Sequence, residues 1–349
     1  MRRMSLVRLL TFAACALWLA PLSCRKQSAP TVERAELGGW EAITLRNRSV
    51  EVVVVPAIGR IMRFRWLIPE AGTAAAGPFW NHAGLGPKLP GDENGWVNPG
   101  GDKAWPAPQS AWPAMAGRAW PPPPAFDAVP YGMSIAGRSL RLVSPVDLHY
   151  GIRVTRNISL DPTQPVMTVE TSYEKVQGAP VRVAVWSITQ LEVPDRLFVR
   201  LPPHSAFPHG YALRLPDPPK DLRTDGRLLS LTRDPSIKSM LASDADALLW
   251  VGAESDLLVE HVPDGAVDPA AAWPDGAHTQ VYTSQGHAEQ YVEMELLGRL
   301  QELRPGDQTS MTARYTLKRR VDEDPMAEAR AVFGDDAVRA AASPADTGP

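Results

Sequence analysis

The sequence predicts an all-β fold: two large, mostly antiparallel sheets packed as a sandwich, with a short C-terminal helix. Three observations predict it. From about residue 40 onward apolar and polar residues alternate with a period of two, the pattern of half-buried strands. Turn residues divide these runs roughly every ten to fifteen residues, as in antiparallel sandwiches, and alternating βαβ units are absent. The 35 prolines, about twice the average share, exclude long helices over most of the chain. At 349 residues, 44% hydrophobic and 21% charged, the chain is globular in composition and long enough for one large β domain.

The first residues read as a targeting segment. Arg2, Arg3 and Arg8 precede the apolar run LLTFAACALWLA (9–20), of signal length and short for a bilayer span. Pro21-Leu22-Ser23-Cys24 follows, similar to a bacterial lipoprotein cleavage site in which Cys24 becomes the lipidated first residue, although Pro21 stands where an aliphatic residue is usual. The alternative is an ordinary signal peptide over 1–23 with Cys24 incidental; either way the chain is expected to be exported. The only two cysteines are Cys15 and Cys24, so the exported domain has no disulfide. Residues 24–36 read as a polar tether, 37–320 as the β domain, and 321–349 as a short helix and a disordered tail. Removing residues 1–23 takes away three arginines and no acids, so the net charge falls from −3 to −6. No basic stripe is present, which argues against nucleic acid as a partner.

Strands are expected in EAITLRNRSVEVVVVPAIGRIMRFRW (41–66), with breaks at Asn47-Arg48-Ser49 and between Pro56 and Gly59, and then at 133–144, 150–160, 166–176, 181–193, 196–202, 247–262, 279–284, 290–298 and 309–320. Asp324 caps a helix that Pro325 starts and MAEARAVF continues, and DDAVRAAA offers a further short helix. The stretches WPAMAGRAWPPPPAF (112–126) and LPDPPKDLRTDG (215–226) read as long loops, of a kind that tends to be functional or disordered.

The chain has no GxGxxG, P-loop, HExxH or nucleophile elbow, and so no motif for a cofactor. His204 and His209 share a proline loop without cysteines or an acid pair, which argues against a metal site. What remains suits carbohydrate, which is bound by aromatic faces over C–H patches and by planar polar groups that meet hydroxyls. NPGGDKAWPAPQSAW (98–112) reads as a stiff loop that supplies Asn98, Asp102, Lys103, Trp105, Gln109 and Trp112, with Gly100 and Gly101 allowing close backbone approach. Trp80, Asn81, His82 and Trp96 extend its character. The alternative is that these tryptophans plug one end of a sandwich.

In YVEMEL, Glu293 and Glu295 share one strand face while Val292, Met294 and Leu296 share the other. On a sheltered face the two carboxyls raise each other's pKa and provide a base or hold a hydroxyl; on a wet face they do neither. In WSITQ, Trp186, Ile188 and Gln190 share a face, and a buried glutamine there needs a partner or a ligand.

VVVVPAIGRIMRFRW (52–66), NPGGDKAWPAPQSAW (98–112), VAVWSITQLEV (183–193) and QYVEMELLGRLQELRPGDQTSMTARYTL (290–317), in this order, resemble the galactose mutarotase-like superfamily, most closely a branch of exported bacterial proteins, the DUF4380 type. The resemblance implies a large β supersandwich with a sugar site on its concave face. In that family a carboxylate takes the proton of the anomeric hydroxyl while a histidine protonates the ring oxygen. Glu293 or Glu295 matches the acidic strand that carries the base. Where the histidine is sought, this chain has Trp186, Ser187 and Gln190, leaving Lys103, His82 or His149 as candidate acids. Three functions follow as expectations: an exported glycan-binding protein, a mutarotase-like sugar isomerase, or a structural envelope lipoprotein whose aromatic loop meets a partner chain. Loss of the acid favours binding over catalysis, and the loop's polar groups favour either over a protein interface. The expected partners are a carbohydrate and, through Cys24, a membrane.

Overall fold

The computed structural model describes residues 30–68, 77–127, 129–253, 256–261 and 272–334. The export segment, Cys24 and the run DDAVRAAA lie outside the described residues. Among the described residues the strands form two antiparallel sheets, one of eleven strands and one of ten.

The middle of the eleven-stranded sheet runs, side by side, Arg60–Trp66, Asp102–Ala107, Val181–Leu191, Val292–Leu297, Thr279–Thr283 and Ser239–Ser243. The ten-stranded sheet faces it, with Ala247–Val251, Asp256–His261, Gln308–Arg319, Val166–Lys175 and Ile152–Leu160 as consecutive neighbours. Period-two alternation sends Val52, Val54, Leu142, Val154, Val169 and Met294 into the shared core, each burial contributing about 1.5–3 kcal/mol. The break read between Pro56 and Gly59 is a 3-10 turn, Pro56–Ile58, closed by Gly59 at φ 62°, where a Cβ would lie 2.9 Å from the Tyr131 ring.

The C-terminal helix is Pro325–Phe333, and Asp324 caps it by accepting the Met326 N–H at 3.0 Å. Its Ala329 packs on Phe198, Leu249 and Leu257, on the side of the ten-stranded sheet away from the main core.

Several stretches differ from the sequence expectation: Leu228–Thr232 and Ser239–Ser243 are strands it did not include, and Trp112–Ala116 and Pro124–Asp127 are short helices in the stretch read as a loop. Thr31–Leu37, read as tether, pairs along its length with Trp40–Arg46. Its side chains are mostly exposed, so hydrogen bonding places it and apolar patterning does not. Lys220–Asp225, read as loop, pairs with Leu228–Thr232 across the Gly226 turn and is likewise mostly exposed. Asp102–Ala107, also read as loop, is a fully buried strand paired with Val181–Leu191. Its proline is tolerated for a local reason. Pro106 opposes Val185 on one side, while on the other side pairing to Arg60–Trp66 is limited to Ile61 with Asp102. The missing N–H therefore interrupts no ladder there.

That strand also ties the sheets together. Asp102 is buried between them and accepts from Arg156, from the Tyr315 hydroxyl at 2.8 Å and from the Thr189 hydroxyl at 3.0 Å. Arg156 and Tyr315 stand on the ten-stranded sheet, Asp102 and Thr189 on the other. Removing one partner leaves a buried charge without its counterpart. Arg156→Ala is therefore expected to lower the unfolding free energy by about 3–5 kcal/mol in chemical denaturation, and a loss below about 1 kcal/mol would contradict this role.

Candidate functional site

The alternation that turns Asp102, Ser187 and Thr189 inward turns Lys103, Trp105 and Trp186 to the open face of the eleven-stranded sheet. On Val292–Leu297, Val292, Met294 and Leu296 enter the core, and Glu293 and Glu295 face outward with Lys103 and Trp186. The register sets Glu293 beside Tyr282 and Glu295 beside Gln280 on the next strand. Above this floor lies a cavity of about 760 Å³, within the range of small-molecule sites.

One wall is tryptophan. The Trp105 ring is 5.6 Å from Trp112, 5.7 Å from Trp120 and from Trp186, and 6.2 Å from Trp96, centroid to centroid. Their edge-on packing is the preferred aromatic geometry. Every indole N–H in the wall is already used. Trp105 and Trp96 donate to Asp127, which also holds Arg60. Trp120 donates to Asp92 at 3.0 Å, Trp186 to Glu295 at 2.8 Å and Trp112 to the Pro106 carbonyl at 2.8 Å. Toward the cavity the wall therefore offers ring carbon and no hydrogen-bond donor. Tyr282 and Tyr291, 6.0 Å apart, line the cavity as well, and Trp80 packs 4.8 Å from Tyr291.

The floor is acidic and sheltered. Glu293 is 9% exposed and Glu295 1%, so the wet-face alternative does not hold. Burial, and then the neighbouring Glu293 charge, push the Glu295 carboxyl well above the usual carboxylate range. Lys103 Nζ lies 3.3 Å from Glu293 and 4.7 Å from the Trp105 ring centre. Burial pulls this ammonium below its ordinary pKa, and the Glu293 charge opposes that pull.

Of the residues selected from sequence, Glu293, Glu295, Trp105, Trp186, Asn98, Gln109 and His82 all line the cavity. Several selected residues do not. Asp102 faces the sheet interface, because in a strand it points opposite to Lys103. Trp112 is completely buried behind Trp105 and Trp186. Lys103 sits beneath Glu293 and Trp105. Gln190 is 0% exposed, and neither atom of its amide has a hydrogen-bond partner among the described residues. His149, the remaining acid candidate, is exposed on a turn of the ten-stranded sheet. Gly100 and Gly101 do admit a close backbone approach, but to protein: a Cβ on them would lie 2.3 Å from the Trp80 carbonyl oxygen and 2.4 Å from that of Ile61. Trp120, Asp127, Tyr282, Glu289 and Lys238 were not selected; each enters through tertiary contact, although Tyr282 lay on a strand already expected and Trp120 in a stretch read as a long loop.

No protein-family model and no curated protein matches the chain. Solved structures do match. A putative mutarotase from Salmonella typhimurium superposes with TM-score 0.51 at 10% identity, over 83% of this chain and 94% of that one. A galactose mutarotase-like protein from Lactobacillus casei gives 0.51 at 10% identity, over 79% and 100%. A TPR-domain containing protein from Parabacteroides distasonis gives 0.53 at 14% identity over 81% of this chain, which spans only 48% of that protein's length. The fold is thus the galactose mutarotase-like β-sandwich expected from the sequence.

The Glu295 environment sets a pH dependence. Its folded pKa is raised, so its contribution to stability is fully present below the unfolded value near 4.5 and is lost as pH rises through the folded pKa. Glu295→Gln keeps an acceptor for the Trp186 N–H and removes the ionisation. Urea unfolding is expected to show the variant gaining on the wild type as pH rises from 5 to 8; a constant difference would contradict a raised pKa.

Proposed function

We propose that the chain binds a carbohydrate in the cavity on the open face of the eleven-stranded sheet. One observation carries this reading: a tryptophan wall whose indole N–H groups are all satisfied internally stands over a floor of carboxyl groups. Ring carbon suits the C–H face of a pyranose, and carboxyl oxygens accept from its hydroxyls. That proteins named as mutarotases share the fold supports a sugar as the ligand. The basic, then apolar, then Ser23-Cys24 order of the first residues supports action outside the cytoplasm, with Cys24 as a lipid anchor.

The carboxyl pair favours a second reading, isomerisation of a reducing sugar. Glu293, beside a Glu295 that keeps its proton to higher pH, can take the proton of an anomeric hydroxyl as the ring opens and return it on closure from the other face. A proton must also reach the ring oxygen. His82 is the imidazole that lines the cavity, and its Nε2 lies 3.8 Å from Glu289.

Solution NMR of the full chain with a panel of reducing sugars and short oligosaccharides tests both readings. Saturation transfer from protein to sugar is expected, and its absence across the panel would contradict binding. Exchange cross-peaks between anomers, faster than in buffer and removed by Glu293→Gln, would add catalysis; exchange at the buffer rate would leave a binding protein. Trp120→Ala is expected to weaken the bound sugar by about 1 kcal/mol, roughly fivefold, in the same titration. Unchanged affinity would remove the tryptophan wall from the site.

A further inference from the structure

The cavity's charge narrows the class of sugar. Among the described residues five carboxyl groups line it, Asp92, Glu93, Glu289, Glu293 and Glu295, against a single lysine, Lys238, and no arginine. His82 adds no charge in the form its contacts define: its Nδ1 accepts the Gly84 N–H at 2.9 Å, so Nε2 carries the proton. Counting Lys103 beneath the floor, five carboxyl groups stand against two lysines, so acid outnumbers base across the cavity. A phosphorylated or uronic sugar would meet repulsion here.

A second, independent feature points the same way. Asn98 is 5% exposed and lines the cavity. Its Nδ2 donates to Glu289 at 2.8 Å, which fixes the amide orientation, because a carboxylate there can only accept. Its Oδ1 is buried and has no partner among the described residues. An unpaired buried acceptor costs about 1–3 kcal/mol, and a ligand N–H at this point removes that cost.

The protein's own ammonium groups already use the chemistry such a ligand would need. Lys103 Nζ rests between the Trp105 ring and Glu293, and Lys238 Nζ lies 5.5 Å from the Tyr282 ring centre. Aromatic faces and carboxylates together stabilise a cation. A quaternary ammonium would satisfy the rings but leave Asn98 Oδ1 unpaired, whereas a primary ammonium satisfies both.

We infer that the site takes a saccharide bearing a free primary ammonium, an amino sugar or a short oligomer of one, with the ammonium held by Asn98 Oδ1, Glu289 and the aromatic walls. This rests on the carbohydrate reading above and specifies it.

The test is competition saturation-transfer NMR with the full chain at neutral pH, using glucosamine, its N-acetyl derivative, glucose, glucuronate and the simple diamine putrescine. Glucosamine is expected to bind about tenfold more tightly than glucose or the N-acetyl sugar, the size of a charge-assisted hydrogen bond. That preference is expected to shrink as salt rises. Glu289→Gln, at a half-exposed residue, is expected to bring glucosamine within about twofold of glucose, and a preference that stays near tenfold would overturn the ammonium assignment. Equal binding of glucosamine and glucose, or tighter binding of glucuronate, would overturn the ammonium assignment and leave the carbohydrate reading intact. Putrescine binding without any sugar binding, or no binding by the whole panel, would overturn both.

Discussion

Asp102 is the constraint on which the arrangement depends. A carboxylate with no exposure to water is tolerable only when its oxygens are filled, and Arg156, Tyr315 and Thr189 fill them from both sheets. Holding Asp102 at the sheet interface fixes the register and the facing of its strand. Period two does the rest, turning Lys103 and Trp105 to the opposite face. The chemistry of the open side is thus set from behind.

Asp127 plays the corresponding part for the aromatic wall. Its carboxylate gathers the indole N–H groups of Trp96 and Trp105 and the Arg60 guanidinium, and Arg60 donates in turn to the Gly100 carbonyl at 2.9 Å. A tryptophan cluster without such acceptors would aim its polar edges at the ligand or leave them buried unpaired. With them satisfied, the wall presents ring faces, and hydrogen bonding passes to the floor and the rim. In the proposed reading shape and chemistry are divided: rings define where a flat ligand would lie, carboxyl groups and Asn98 what it would donate.

Much of the fold was legible, because burial on one face imposes alternation wherever a strand borders the core. Val166–Lys175 and Val292–Leu297 show it plainly, and the outward facing of Glu293 and Glu295 followed from it directly. Asp102–Ala107 was not legible as a strand. Its Pro106 and its tryptophan-rich flank have loop composition, and only the limited pairing on one side makes the proline harmless. The site residues divide by the same logic. Asn98, Gln109 and Trp186 could be selected by residue type, but the inward turn of Asp102 required knowing that it lies in a strand. Asp127 and Glu289 could not be selected at all. Each acquires its role from partners far away in the chain, Asp127 from Trp96 and Arg60, Glu289 from Asn98.

The central claim is spatial: a sugar ring lies flat on the tryptophan wall above the Glu293–Glu295 floor. A crystal structure of the protein soaked with a reducing amino sugar tests it most directly. The account predicts pyranose density in the cavity bounded by Trp120, Trp186 and Tyr282, with a sugar hydroxyl within hydrogen-bond distance of Glu293. Sugar density found only elsewhere on the surface, with this cavity holding water alone, would contradict it.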